Sequence, residues 1–209
     1  MKTVNRIDYL PLTNTFCVII WVSGTPGVGK TVVGKALAKK LGYQFIDLPE
    51  FVKRMRLYES YDRRRDTWTI DPRRVRKALR KENLENCVLS SHIVVPGLGR
   101  CEKCIVLRLN PLVLWRRLER RGYSRQKIRE NVEAEFVGAV LSDAVTTLGT
   151  RKVFQINTTE KNREQIVTLC LRIVRGESKG DSVDWLTDLT ERQTSRLLRS
   201  FAQAMAGKI

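Results

Sequence analysis

The chain has 209 residues, enough for one domain with a substantial core and short extensions. Lysine and arginine number 39 against 22 aspartates and glutamates, a formal net charge of +17, which suits a polyanionic partner such as RNA or a solvated basic surface; composition alone leaves both open. Five cysteines, an odd number at mostly wide spacing, argue against a secreted disulfide framework. No apolar run approaches the ~20 residues of a membrane span, and no signal-peptide pattern opens the chain, so it reads as cytoplasmic.

Residues 1–15 read as a polar N-terminal extension. Residues 16–22 form an apolar run of buried-strand length, and Gly24-Thr25-Pro26-Gly27-Val28-Gly29-Lys30-Thr31 follows it. This stretch fits G-x-x-x-x-G-K-[ST], and helical periodicity from Val32 to the stop at Gly42 supplies the strand–loop–helix context that the phosphate-binding loop requires. Its glycines let backbone N–H groups close around a phosphate, and the helix N-terminus favours an anion. Lys30 then reaches the β- and γ-phosphates of ATP, and the Thr31 hydroxyl is the candidate Mg²⁺ ligand.

Residues 43–48 read as a second strand, and Pro49 starts a helix. Residues 59–69 are polar, basic and aromatic with no clean period, more a binding excursion than core. Asp71-Pro72 caps and opens the next helix. Residues 87–92 form a third strand ending in His92, the single histidine, and residues 104–109 a fourth. A helix runs from Asn110-Pro111 to Gly122. Ser124 then caps one long helix, with Ile128, Val132, Phe136, Val140, Ala144 and Leu148 as its stripe, ending at Gly149. Residues 152–156 form a fifth strand. Asn162 and Gln165 suit a capping box for a helix ending near Gly176. Residues 177–183 read as a linker, and from Asp184 a single helix carries Trp185, Leu189, Leu197, Phe201 and Met205.

Strands alternating with helices predict an α/β fold with a parallel sheet. Cys101 and Cys104 make a lone C-x-x-C, open to a disulfide or half of a shared metal site, while Cys17, Cys87 and Cys170 fall at apolar positions. Arg117 and Arg121 lie at i and i+4 on one helix face, where guanidinium forks can grip phosphates.

Together these residues resemble the adenylate kinase isoenzyme 6 family, small P-loop nucleotide kinases of archaea and eukaryotic nuclei that are also linked to small ribosomal subunit maturation. Besides the loop, the resemblance rests on Leu57-Tyr58, Tyr61-Asp62, Ile70-Asp71, Arg74-Val75, His92, Arg117-Leu118, Arg121-Gly122-Tyr123 and Asn131-Val132-Glu133-Ala134-Glu135, with Val183-Asp184-Trp185 beyond them. It implies a five-stranded parallel sheet with helices on both faces. It also implies a P-loop kinase domain at 16–176 with a monophosphate-binding excursion at about 49–70, a short lid at about 121–131, and a linker and C-terminal helix at 177–209.

By the same resemblance the activity is transfer of the γ-phosphate of MgATP to AMP, with Lys30, His92, Arg117 and Arg121 catalytic. Residues 24–32, including Pro26, Val28 and Val32, together with Asn157 and Thr158, hold ATP. Tyr58, Tyr61 and Asp62 hold AMP, and Thr31 holds the metal. The expected partners are a small-subunit ribosomal protein or rRNA, the expected state a monomer or weak dimer, and the alternative an ATP-driven assembly factor with little kinase activity. One position departs from the family: Ser90 stands where an acid two residues before His92 is usual, and Asp47 or Asp62 are the candidates to supply the missing carboxylate.

Overall fold

A computed structural model describes residues 18–62, 67–82, 84–98 and 101–206. The strands are β1 (Val18–Ser23), β2 (Gln44–Asp47), β3 (Tyr58–Asp62), β4 (Thr67–Ile70), β5 (Asn86–Ser90), β6 (Cys101–Arg108) and β7 (Val153–Asn157). The helices are α1 (Lys30–Leu41), α2 (Leu48–Arg54), α3 (Pro72–Lys81), α4 (Pro111–Arg120), α5 (Arg125–Phe136), α6 (Ala139–Leu148), α7 (Arg163–Arg175), α8 (Trp185–Asp188) and α9 (Glu191–Ala206). The N-terminal extension, Phe16 and Cys17 lie outside the described residues.

Five strands form one parallel sheet in the order β2-β5-β1-β6-β7. β1 is central and its Ile19, Ile20, Trp21 and Val22 are wholly buried, as a strand covered on both faces must be. Ile20 and Val22 pack under α1, α4, α5 and α7, while Ile19 and Trp21 pack under α2, α3 and α6. The expected α/β architecture with helices on both faces is what the chain builds. Capping follows the sequence signals closely. Asn110 Oδ1 accepts from Leu112 N at 2.9 Å with Pro111 next, Asp71 Oδ1 accepts from Arg73 N at 2.8 Å, and Asn162–Gln165 closes a full capping box.

Four expectations need correction. The long helix after Ser124 is two helices: Gly138 takes φ 68° and separates α5 from α6. A four-residue stripe advances 400° per step against 360° per turn, so it winds around a straight helix. The break resolves this by sending Ile128, Val132 and Phe136 to one face of the sheet and Ala144, with Val140 and Leu148, to the other. The C-terminal helix is likewise two pieces, α8 and α9. Thr190 caps α9 reciprocally with Gln193, donating its N–H to Gln193 Oε1 at 2.9 Å and accepting Gln193 N at 3.4 Å.

The supposed linker is part of the fold. Asp181 bridges Gln155 of edge strand β7, its carboxylate accepts Asn157 N at 2.8 Å, and Gly180 (φ 76°) lies so close to Gln155 that a Cβ would strike its carbonyl oxygen. The segment thus covers the exposed edge of the sheet. Finally, the aromatic excursion is an antiparallel β3–β4 hairpin, and an irregularity between Tyr58 and Ser60 lets Tyr58 and Tyr61 both meet Trp68, at 4.3 and 4.7 Å between ring centroids. Its tip, 63–66, lies outside the described residues.

Candidate active site

The phosphate loop leaves β1 at Ser23 and enters α1 at Lys30. Gly24, Gly27 and Gly29 take φ of 138°, 97° and 109°, a region that favours glycine. Space excludes a side chain as well: a Cβ at Gly27 would lie 2.7 Å from Leu118 Cδ2, and one at Gly24 would strike Leu107 O. The loop is therefore wedged against β6 and α4. Thr25 O closes the turn by accepting Val28 N at 3.3 Å and Lys30 Nζ at 3.0 Å. Val28 is buried in the core, Pro26 is partly exposed and Val32 faces solvent.

Charge gathers around this turn. Burial lowers the Lys30 pKa to about 8, with Asp47 and Glu135 opposing the shift and Arg121 reinforcing it. Arg117 donates from Nη1 to Gly27 O at 3.2 Å and Val28 O at 3.3 Å. Its own pKa is lowered, by desolvation first and by Arg121 second. Arg121, exposed at the C-cap of α4, acts on both Lys30 and Arg117. The expected trio is therefore brought together at one loop. His92, just past β5, is exposed; desolvation by the surrounding protein, then the Lys30 charge, hold its imidazole below the usual pKa.

Thr31 donates its hydroxyl to Asp47 Oδ2 at 2.9 Å. Asp47 ends β2, caps α2 by accepting Glu50 N, and pairs in register with Ser90 on β5. Ser90 is 1% exposed, and its buried hydroxyl finds no hydrogen-bond partner. A hydroxyl, a carboxylate and an orphaned hydroxyl at the loop's end are hard oxygen donors, and they fit Mg²⁺. Asp47 thus sets a carboxylate against Thr31 and in register with Ser90; the side chain of Asp62 lies outside the described residues.

Asn157 and Thr158 sit at the carboxyl end of β7 with their polar groups turned to the chain itself. Asn157 Oδ1 accepts from Thr159, and Thr158 donates through both N–H and Oγ1 to Arg108 O. Tyr58 and Tyr61 stand on the hairpin with Trp68, which is half exposed. Cys104 is buried and free; the side chain of Cys101 lies outside the described residues. Among the described residues, no three or more histidine, cysteine and acidic side chains gather into a metal-binding group, and no helix is long and apolar enough to cross a membrane.

Sequence reasoning missed the role of Glu135. It lies seven residues after Ile128 and one before Phe136, inside the buried face of α5, and an acid there needs partners. Its carboxylate accepts Thr25 Oγ1 at 2.7 Å, Arg108 Nε at 2.8 Å, Trp185 Nε1 at 3.0 Å and Leu109 N at 3.1 Å.

A glycine-wedged phosphate loop with a half-buried lysine, on a five-stranded parallel sheet, defines a P-loop kinase fold. Residues 20–138 match the family described as AAA domain. Over 175 residues the chain is 38% identical to a protein of Saccharolobus solfataricus named "Putative adenylate kinase", covering 81% of this chain and 88% of that one. The protein of the same name from Methanocaldococcus jannaschii is 36% identical over 170 residues, covering 79% and 92%. The chain belongs to this archaeal-type adenylate kinase family. Similar solved structures include a shikimate kinase of Bacteroides thetaiotaomicron, with a TM-score of 0.51 and 22% identity over 76% of this chain and 98% of that one. A gluconokinase of Sinorhizobium meliloti gives 0.50 and 21% over 78% and 95%. Both likenesses concern the fold.

Proposed function

We propose that the protein transfers the γ-phosphoryl group of ATP to AMP, giving two ADP. The observation that carries this reading is the convergence of Lys30, Arg117 and Arg121 on one glycine-built loop. Transfer between phosphates spreads negative charge over the moving group's oxygens, and fixed cations with loop amides answer it without chemistry of their own. In this reading the loop amides and Lys30 hold the β- and γ-phosphates. Arg117, tethered to the loop carbonyls, and Arg121 bridge donor and acceptor. An oxygen of the AMP phosphate attacks the γ-phosphorus in line, the bond to the β-phosphate oxygen breaks, and ADP leaves.

Thr31 and Asp47 would hold Mg²⁺, which would supply charge neutralisation for the transferring phosphate. A neutral His92 positions a phosphate or water by hydrogen bonding. The β3–β4 hairpin with Tyr58, Tyr61 and Asp62 takes the monophosphate, and Asn157 and Thr158 border the adenine of ATP. The test follows labelled AMP: the label appears in ADP if AMP is the acceptor, and stays in AMP if water is.

A second reading, favoured by the +17 charge, is an ATP-driven assembly factor that binds a small-subunit ribosomal protein or rRNA. It predicts free phosphate as the product, with no consumption of AMP.

A further inference from the structure

The nucleotide-binding loop and the C-terminal segment meet on one buried carboxylate. Thr25, Glu135, Arg108 and Trp185 are 1, 2, 3 and 3% exposed. One oxygen of Glu135, Oε2, accepts the Thr25 hydroxyl at 2.7 Å. The other, Oε1, accepts Arg108 Nε, Leu109 N and Trp185 Nε1. Arg108 in turn donates to Glu135 O at 2.8 Å, Gln155 Oε1 at 2.9 Å and Val183 O at 3.4 Å, and its guanidinium lies 5.8 Å from the Trp185 ring centre. Two donors or acceptors of this set, Trp185 Nε1 and Val183 O, come from beyond the last helix of the sheet domain.

A carboxylate held by this many donors has no rotamer freedom left, so Thr25 is fixed by the position of Glu135, and Glu135 by Arg108, Leu109 and Trp185. Thr25 also supplies the carbonyl that anchors Lys30 Nζ and Val28 N. Moving Thr25 would therefore disturb the turn whose amides and lysine receive phosphate. We infer that Glu135 is a positioning residue for the phosphate loop, and that Trp185 sets its position, so the segment Val183–Trp185 acts at a distance on nucleotide binding. This rests on the reading of the loop as a nucleotide site. Glu135 also bears on Lys30 electrostatically, together with Asp47 and Arg121.

The test is a double-mutant cycle on the full chain, read by calorimetric binding of MgATP, with thermal melting as a control. Trp185→Phe keeps an aromatic ring but removes the N–H together with the pyrrole half of the indole, a packing loss that the melting control reads separately; Thr25→Val removes the hydroxyl. We expect Trp185→Phe to weaken MgATP binding about three- to tenfold in the wild-type background. In the Thr25→Val background it should change binding less than twofold, and Thr25→Ser should restore most of the affinity. Additive effects, or unchanged affinity in Trp185→Phe, overturn the inference while leaving the nucleotide site standing. A wild-type chain that binds no nucleotide overturns both. Should Trp185→Phe fail to fold, Glu135→Gln carries the decision. Weaker MgATP binding on Glu135→Gln in the wild-type background, but a change of less than twofold beside Thr25→Val, supports the coupling; additive effects, or unchanged affinity with intact folding, refute it.

Discussion

Lys30 is held in a compromise between burial, which disfavours its charge, and two carboxylates that favour it. With a pKa of about 8 against the ordinary 10.5, it is charged at neutral pH and neutral in mild alkali. MgATP affinity should therefore fall above about pH 8, with proton uptake on binding in that range, measurable by calorimetry in buffers of different ionisation heat. Stability runs the other way. Between about 8 and 10.5 the unfolded chain holds more protons on this lysine than the folded one, so its contribution to stability rises with pH through that window. Lys30→Ala should cut transfer by at least about 10²–10³-fold, the scale of losing one preorganised electrostatic partner of the transition state. Near-normal turnover would remove the loop from the mechanism. Ser90 offers a second probe. Ser90→Asp places a carboxylate beside Asp47 in a buried position, so the variant should melt at a lower temperature in chelator and recover on Mg²⁺ addition. Recovery no greater than that of wild type would show that the metal is not held there. His92→Ala should lower kcat more than MgATP affinity, as expected of a positioning group.

At the scale of elements, glycine positions decide where the chain turns. Gly180→Ala should destabilise by about 1–3 kcal/mol, because it combines a left-handed φ with a collision at Gln155 O, and the melting temperature should fall accordingly. Strand order aside, most elements were legible in the sequence. Buried strands show as apolar runs, and caps show as Asx-Pro pairs and the Asn162–Gln165 box. The misreadings share a cause. Both the stripe from Ile128 to Leu148 and the stripe from Trp185 to Met205 step by four, and such a step looks continuous whether or not the helix is. Gly138 and the Thr190–Gln193 pair were the local signs of a break. The β3–β4 hairpin was hidden because an irregularity shifts its alternation between Tyr58 and Ser60. The loop was readable from spacing, and its arginines from their i, i+4 placement together with the family resemblance. The Thr31–Asp47 and Thr25–Glu135 pairs were not, since residues 16 and 110 apart are brought together only by the fold.

Over the whole molecule, the C-terminal segment completes the sheet domain. It covers the β7 edge through Asp181 and buries Val183, Trp185, Leu189 and Leu197, and Phe201 meets Phe136 at 6.0 Å between ring centroids. Each large apolar side chain buried is worth roughly 1.5–3 kcal/mol, and a domain's whole stability is about 5–15 kcal/mol. Truncation after Gly176 should therefore give an insoluble or non-cooperatively melting protein; unchanged melting would mean that the segment is dispensable. The second reading, resting on the net charge of +17, predicts RNA binding that weakens steeply with salt, and salt-independent retention would contradict it. The central claim, phosphoryl transfer to AMP, is tested most directly by incubating the purified chain with MgATP, with and without AMP, and following ADP and free phosphate separately. The account predicts that AMP accelerates ATP consumption, with two ADP formed for each ATP consumed and little phosphate released. ATP loss indifferent to AMP, yielding one phosphate per ADP, would contradict it.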